Sequence, residues 1–189
     1  RLALSTLNVY TNVLKRFFGY LEASGVILES PATGLPFHRI DALPRRVLSE
    51  LEMRQLLGSP DAGTALGMRD RAILETLYGT AIRVSECHGL DLRDVDLRRG
   101  VLLVRLGKGR KDRMVPAPKL ALEALVVYVR DARPSLVRDP TEAALFPTRH
   151  AKRLTRIGLA SLVKGHGLAV GLRVSPHSLR HACATHLLK

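Results

Sequence analysis

Ser175-Pro-His-Ser-Leu-Arg-His-Ala-Cys-Ala-Thr-His-Leu-Leu-Lys189 is the stretch from which the rest of the chain can be read. Ser175 is a strong N-cap, and Pro176 at the first helical position gives up an N–H that has no partner there. A helix is therefore predicted to start at Pro176. His177 and Arg180 lie three residues apart and project from one side of its first turn. The unpaired N–H groups and the dipole at a helix N-terminus already favour an anion, and an imidazole and a guanidinium add to that preference. A phosphate suits such a place. The same two residues can also be read as a solvated surface arginine beside a capping or core histidine.

Charge bears on the choice. Thirty Lys and Arg against 17 Asp and Glu leave a formal net charge of +13. After Glu142 there is no acidic residue at all, although Arg149, Lys152, Arg153, Arg156, Lys164, Arg173 and Arg180 follow. A solvated face mixes signs, so one-signed charge favours a polyanionic partner, nucleic acid above all. A basic membrane-surface helix would need an apolar face rich in aromatics, and the chain has no Trp. No apolar run is long enough to span a bilayer, and the first residues do not resemble a secretory signal. Cys87 and Cys183 are far apart and form no Cys-x-x-Cys pair, which suits a reducing cytosol and disfavours both a disulfide framework and a thiolate zinc site.

Upstream, residues 1–29 read as a helix from near Ser5, with Leu7, Tyr10, Leu14, Phe17, Phe18 and Leu21 at helical spacing and Gly25 at its end. Its aromatic residues are expected in a core, because they lie on the periodic face. One helix cannot bury its own apolar face, so further helices are expected before Arg1. Residues 30–46 carry Pro31, Gly34, Pro36 and Pro44 without a steady period and read as a linker, whose Arg39, Arg45 and Arg46 could follow a phosphate backbone. A second domain, 47–189, opens on the capping box Ser49-x-x-Glu52, with Leu48 and Met53 placed as a hydrophobic staple. A short helix to about Leu57 and a stronger one over 68–78 follow. Gly79-Thr-Ala-Ile-Arg-Val-Ser-Glu86 then puts Arg83 where the chain re-enters helix.

The one convincing β region is 95–116, where Val101–Leu106 and Arg113–Pro116 flank Gly107-Lys-Gly-Arg-Lys-Asp112 as a hairpin. Its basic residues include Lys108, Arg110, Lys111 and Arg113. A helix over 119–130 is expected to break at Pro134, and another is expected over 153–169. The fold class is mainly α with a small antiparallel sheet (α+β).

Three motifs now stand in order: Gly79–Glu86 with Arg83, Gly107–Pro116 with Lys108, and His177-Ser-Leu-Arg180-His181 through His186. Together they resemble the tyrosine recombinase (phage integrase) family, most closely its bacterial Xer-like branch. The likeness covers 49–189 well and 1–46 loosely. It implies a catalytic domain preceded by part of a helical DNA-clamp domain, and a site-specific recombinase that cuts and rejoins double-stranded DNA through a 3′-phosphotyrosyl intermediate. Neither metal nor nucleotide cofactor is implied. By position, Arg83 and Arg180 match the arginines on the non-bridging oxygens of the scissile phosphate. Lys108 matches the lysine that protonates the 5′-hydroxyl leaving group, and His177 the acid/base or phosphate-contacting histidine. His181 matches a structural, hydrogen-bonded histidine, and Cys183 stands where an apolar residue is usual. The spacing of His177 and His181 also invites a zinc ligand pair, but the adjacent glutamate base such a motif needs is missing.

The charges agree with those roles. A phosphodiester under attack gains negative charge on its equatorial oxygens, which two planar guanidiniums hold with directed hydrogen bonds, and an ammonium near the leaving oxygen acts as general acid. The further basic residues Arg39, Arg45, Arg46, Arg110, Lys111, Arg113, Arg149, Lys152 and Arg153 are expected to contact DNA. The family likeness implies a homo- or hetero-tetramer on paired sites, in the cytoplasm with the nucleoid.

The family's nucleophilic tyrosine should follow a further His or Trp, whereas Tyr10, Tyr20, Tyr78 and Tyr128 all precede His177. A fragment of a longer recombinase, inactive alone, is therefore expected. A catalytically incomplete DNA-binding protein that occupies or regulates recombination sites is the alternative. A basic RNA-binding module is disfavoured, because the aromatics sit on core-like faces.

Overall fold

A helix that caps itself with Ser49 sets the second of two structural units in place. In the computed structural model, which describes residues 2–40, 46–105, 111–139 and 141–188, the units divide between Arg46 and Val47.

The first unit is built on α1 (Leu4–Ala23), closed by Ser24 and by Gly25 at φ +71°. A positive φ is the conformation a helix C′ position needs, and glycine adopts it without steric cost. The segment expected as a bare linker is partly tied back to this helix. Asn8 donates through Nδ2 to the His38 carbonyl and accepts from the His38 N–H, both at 2.7 Å. Lys15 Nζ sits 5.1 Å from the centre of the Phe37 ring, a cation–π distance. The aromatic residues of α1 are not core in this unit. The helix has no buried residue, and Tyr10, Phe17 and Tyr20 are all exposed. Their helical spacing is real, but among the described residues of this unit no second helix lies against that face.

In the second unit, α2 (Glu50–Leu57) begins with the full Ser49/Glu52 capping box, and Leu48 and Met53 are buried beside it. The central element is α3 (Ala65–Thr80), which buries Ala72, Ile73, Leu74 and Leu77. Each large aliphatic side chain so removed from water is worth about 1.5–3 kcal/mol. This helix starts three residues earlier than its apolar pattern predicts and runs through Gly67. Thr64 is the reason: its hydroxyl accepts the Gly67 N–H at 3.0 Å, and the missing side chain lets Gly67 lie against the Asp61 carbonyl. The helix ends at Ala81, left-handed at φ +49°.

After α4 (Val84–His88) and a short 3₁₀ turn (Leu92–Asp94), the sheet runs antiparallel in the order β1 (Val95–Asp96), β2 (Val101–Val104), β3 (Arg113–Pro116). Val104 faces Arg113 and Leu102 faces Val115. The hairpin gains a third strand, and β2 ends at Val104, with Arg105 in a turn. Lys108 and Arg110 lie outside the described residues, as does Arg45 of the first unit.

Helix α5 (Lys119–Val127) does not break at Pro134. It widens into a π turn (Tyr128–Ala132) and passes into α6 (Arg133–Leu136), with Pro134 in its first turn. A proline there forfeits an N–H that needs no partner. Tyr128 is buried, stacks on Phe146 and donates its hydroxyl to the Leu145 carbonyl at 2.7 Å. The chain then crosses to α7 (Arg156–Ala169), capped by Thr155, and reaches α8 (Pro176–His186). Arg153 is not helical. No helix among the described residues is long and apolar enough to cross a membrane.

Candidate active site

Two turns build the site. At the first, Ala81 reverses the chain after α3, Ile82 is buried, and Arg83 emerges as the N-cap residue of α4. At the second, Ser175 caps α8 by accepting the Ser178 N–H at 3.3 Å, while the Ser178 hydroxyl accepts the Ser175 N–H at 3.2 Å. This is a capping box closed by serine where glutamate is usual. The first turn of α8 therefore carries no acid of its own to offset the positive helix end.

Arg180 joins the turns. Its Nη1 donates to the Ala81 carbonyl at 2.7 Å, meeting an acceptor left over at the end of α3. The result is a cleft of about 370 Å³ lined by Ile82, Arg83, Val84, Ser85, Pro176, His177 and Arg180. Of the four residues expected to be catalytic, Arg83, His177 and Arg180 come together here, and Lys108 lies outside the described residues. The His177 ring is exposed on the first turn of α8.

Glu86, absent from the sequence-derived set, belongs with them. Its Oε2 accepts the backbone N–H of Arg83 at 2.7 Å, and its Oε1 accepts Arg83 Nη1 at 3.0 Å. Arg113 grips the same carboxylate from β3, Nη1 to Oε1 at 3.0 Å and Nη2 to Oε2 at 2.9 Å. The Glu86 side chain is only 6% exposed. Burial by itself would raise its carboxyl, but the hydrogen bonds from Arg113 and from the backbone and side chain of Arg83 outweigh burial and hold it at about 2. The signal that could have found it is local. Glu86 stands at the third helical position after Arg83, where a glutamate reaches back to the cap N–H and orients whatever the capping residue presents.

The remaining basic residues divide by what they touch. Arg153 donates to the His88 and Leu90 carbonyls, each at 2.9 Å, and pairs with the Asp91 carboxylate. Its guanidinium is committed to the fold, and so is that of Arg113. Lys111, Arg149 and Lys152 are exposed in the second unit, as are Arg39 and Arg46 in the first. His181 differs from its expected role. It is exposed, and its ring makes no hydrogen bond among the described residues, because it points away from the Leu179–Ala182–Cys183 face that α8 buries. The hydrogen-bonded histidine of this helix is His186, whose Nδ1 is 2.9 Å from the Tyr78 hydroxyl on α3. Cys183 is buried and unpaired, its thiol pushed up by burial. Among the described residues, no group of three or more His, Cys, Asp or Glu side chains could hold a metal ion.

Two guanidiniums and an imidazole lie on one cleft, beside a helix N-terminus whose first turn carries no acid, an arrangement with the chemistry to hold a tetrahedral phosphate more than a single point charge. The model of the phage integrase family matches residues 46–189. The tyrosine recombinase XerD of Pseudomonas aeruginosa is 40% identical over 177 residues, covering 93% of this chain and 59% of that protein. The crystal structure of XerA recombinase superposes with a TM-score of 0.67 at 28% identity, covering 94% of this chain and 60% of that one. The Tn1549 transposon integrase, solved with circular intermediate DNA, shares the fold at a TM-score of 0.75 and 20% identity, over 99% and 67% of the two chains. The chain thus spans about 60% of the length of the recombinase relatives it matches.

Proposed function

Because this chain belongs to the phage integrase family, we propose that it supplies the phosphate-activating part of a site-specific DNA recombinase. The observation that carries the reading is the Arg180–Ala81 hydrogen bond, which sets Arg83 and Arg180 on one cleft from distant parts of the chain. The scissile phosphate sits between them, each arginine on a non-bridging oxygen, with His177 at its edge. As a tyrosine oxygen attacks phosphorus, the bond to the 5′ oxygen breaks. The two cations stabilise the charge that builds on the equatorial oxygens, in place and with little reorganisation. Lys108, assigned from its motif, gives its proton to the departing 5′ oxygen. Rejoining reverses these steps at a new 5′ end, so no bond energy is lost to water.

None of the four tyrosines in residues 1–189 suits the attacking role. Tyr128 is buried on the Leu145 carbonyl, Tyr78 is held on His186, and Tyr10 and Tyr20 belong to the first unit. Residues 1–189 alone therefore bind and polarise the phosphate but form no covalent DNA adduct. The full protein acts on paired DNA sites as a homo- or hetero-tetramer, with exposed Lys111, Arg149 and Lys152 on the phosphate backbone.

The test is cleavage of a nicked duplex carrying the recombination site by the full-length protein. Arg83→Ala and Arg180→Ala are each expected to lower cleavage by about 100-fold or more while duplex affinity changes less than about tenfold. Equal losses in both would make the protein a DNA binder in which these arginines serve affinity alone.

A further inference from the structure

Two arginines share the Glu86 carboxylate, but only one of them lines the phosphate cleft. Arg83 comes from the turn that builds the cleft, whereas Arg113 comes from β3, the strand that follows Lys108 in sequence, and is absent from the lining. We propose that Arg113 is a positioning residue. By occupying Glu86, it limits Arg83 to one side-chain bond to that carboxylate, leaves the rest of the guanidinium for the phosphate, and ties the hairpin to the cleft. This inference rests on the recombinase reading above for its effect on cleavage, though not for the geometry itself.

Charge counting shows what Arg113 changes. Glu86, Arg83 and Arg113 together carry a net charge of +1, so the cluster still attracts an anion. Without Arg113, one carboxylate and one guanidinium would remain 3.0 Å apart, and the pair would be neutral. Glu86 Oε1 now accepts from both arginines, and Oε2 accepts from Arg113 and from the Arg83 backbone N–H. With both oxygens occupied, Arg83 keeps one side-chain hydrogen bond among the described residues. Released from Arg113, the carboxylate would be free to close on Arg83 as a bidentate pair, the strongest arrangement these two groups can make. A phosphate would then have to displace it.

The same bonds carry a mechanical link. Arg113 pairs with Val104 across the hairpin, so both strands flanking residues 105–112 are fixed relative to Glu86 and, through it, to Arg83. The two strands on either side of the Lys108 motif and an arginine that holds the phosphate thus share one strut. Arg113 had looked like another residue for the DNA backbone, and the two roles make opposite demands. A phosphate contact needs its fork free, while a positioning role needs the fork where it is, on Glu86.

The experiment compares Arg113→Gln, Arg113→Lys, Arg83→Lys and the Arg83→Lys/Arg113→Gln double variant in the full-length protein, each checked for native circular dichroism. Arg113→Gln is expected to lower cleavage about 10- to 100-fold with duplex affinity within about threefold, and to cost nothing further in the Arg83→Lys background. Arg113→Lys, which keeps the charge, should recover most of the rate. Additive losses would overturn the proposal, as would a fall in affinity with a flatter salt dependence, the signature of a lost phosphate contact. A second readout needs no cleavage. The Arg83 Nε–H NMR signal, identified by its disappearance in Arg83→Lys, should shift in DNA-free Arg113→Gln and stay put in Arg99→Gln, which alters an exposed arginine paired with Asp96. If that signal does not move in Arg113→Gln, the strut does not exist. A wild-type protein that fails to cleave while the signal shifts would instead refute the recombinase reading and leave the strut standing.

Discussion

Replacing Glu86 with glutamine tests the electrostatics of the site through folding stability. The carboxyl is held at about 2 against an ordinary 4.5, and its side chain is almost fully buried. A folded-state value below the unfolded one stabilises the fold above the unfolded value and loses that stabilisation as pH falls toward the folded one. The difference corresponds to about 3 kcal/mol at pH 7, of which about 1.5 kcal/mol is left at pH 3 and almost none below pH 2. Glutamine keeps the shape and one acceptor but cannot titrate. Urea unfolding followed by circular dichroism should therefore show Glu86→Gln less stable than wild type by about 2–3 kcal/mol at pH 7, with the gap roughly halved at pH 3. A gap that stays constant between pH 7 and pH 3 would refute the reasoning, because the carboxylate would not then be what the two arginines stabilise. So would a gap smaller than about 0.5 kcal/mol at pH 7, the size of an ordinary surface substitution.

Arg153→Gln removes the links to the His88 and Leu90 carbonyls and to Asp91. It should destabilise the fold by about 2–4 kcal/mol, since buried acceptors and a paired carboxylate lose their donor, while the salt dependence of duplex binding stays that of wild type. A slope lower by about one would return Arg153 to the phosphate backbone. Gly67→Ala drives a Cβ into the Asp61 carbonyl and against the Thr64 hydroxyl. Despite alanine's better helix propensity, it should cost about 1–3 kcal/mol in the same unfolding assay.

Local chemistry made much of the site legible. The Ser175 cap, the proline after it and the positions of His177 and Arg180 are all set within one helical turn. The same is true of the Ser49 box and of Arg83 at the start of α4. Legibility failed where a distant partner decides. Nothing near Arg113 shows that its fork will close on a carboxylate 27 residues earlier, and nothing near Arg153 points to carbonyls 63 and 65 residues away. Both therefore read as two more cations in a basic chain. Pro134 misled because the π turn before it is a property of packing around Tyr128 and has no pattern of its own. The aromatics of α1 misled for a different reason. A periodic apolar face says that something should cover it, not that the same unit supplies the cover. The hydrogen-bonded histidine of α8 is His186 and not His181, because burial on that helix follows the Leu179–Ala182–Cys183 stripe, next to which the later histidine lies and the earlier one does not.

The bond from Arg180 to the Ala81 carbonyl spans 99 residues, and that span fixes when the cleft can exist during biosynthesis. At ordinary translation rates about 5–20 s separate the two residues' leaving the ribosome's active centre. Throughout that interval the Ala81 carbonyl has no Arg180 to meet, whatever else of the unit has already been made. A half-made polypeptide therefore carries Arg83 at its turn without the wall of the cleft that Pro176, His177 and Arg180 supply. The cleft is completed only when α8 is made, and closing the long loop that brings Arg180 to Ala81 is the event that completes it.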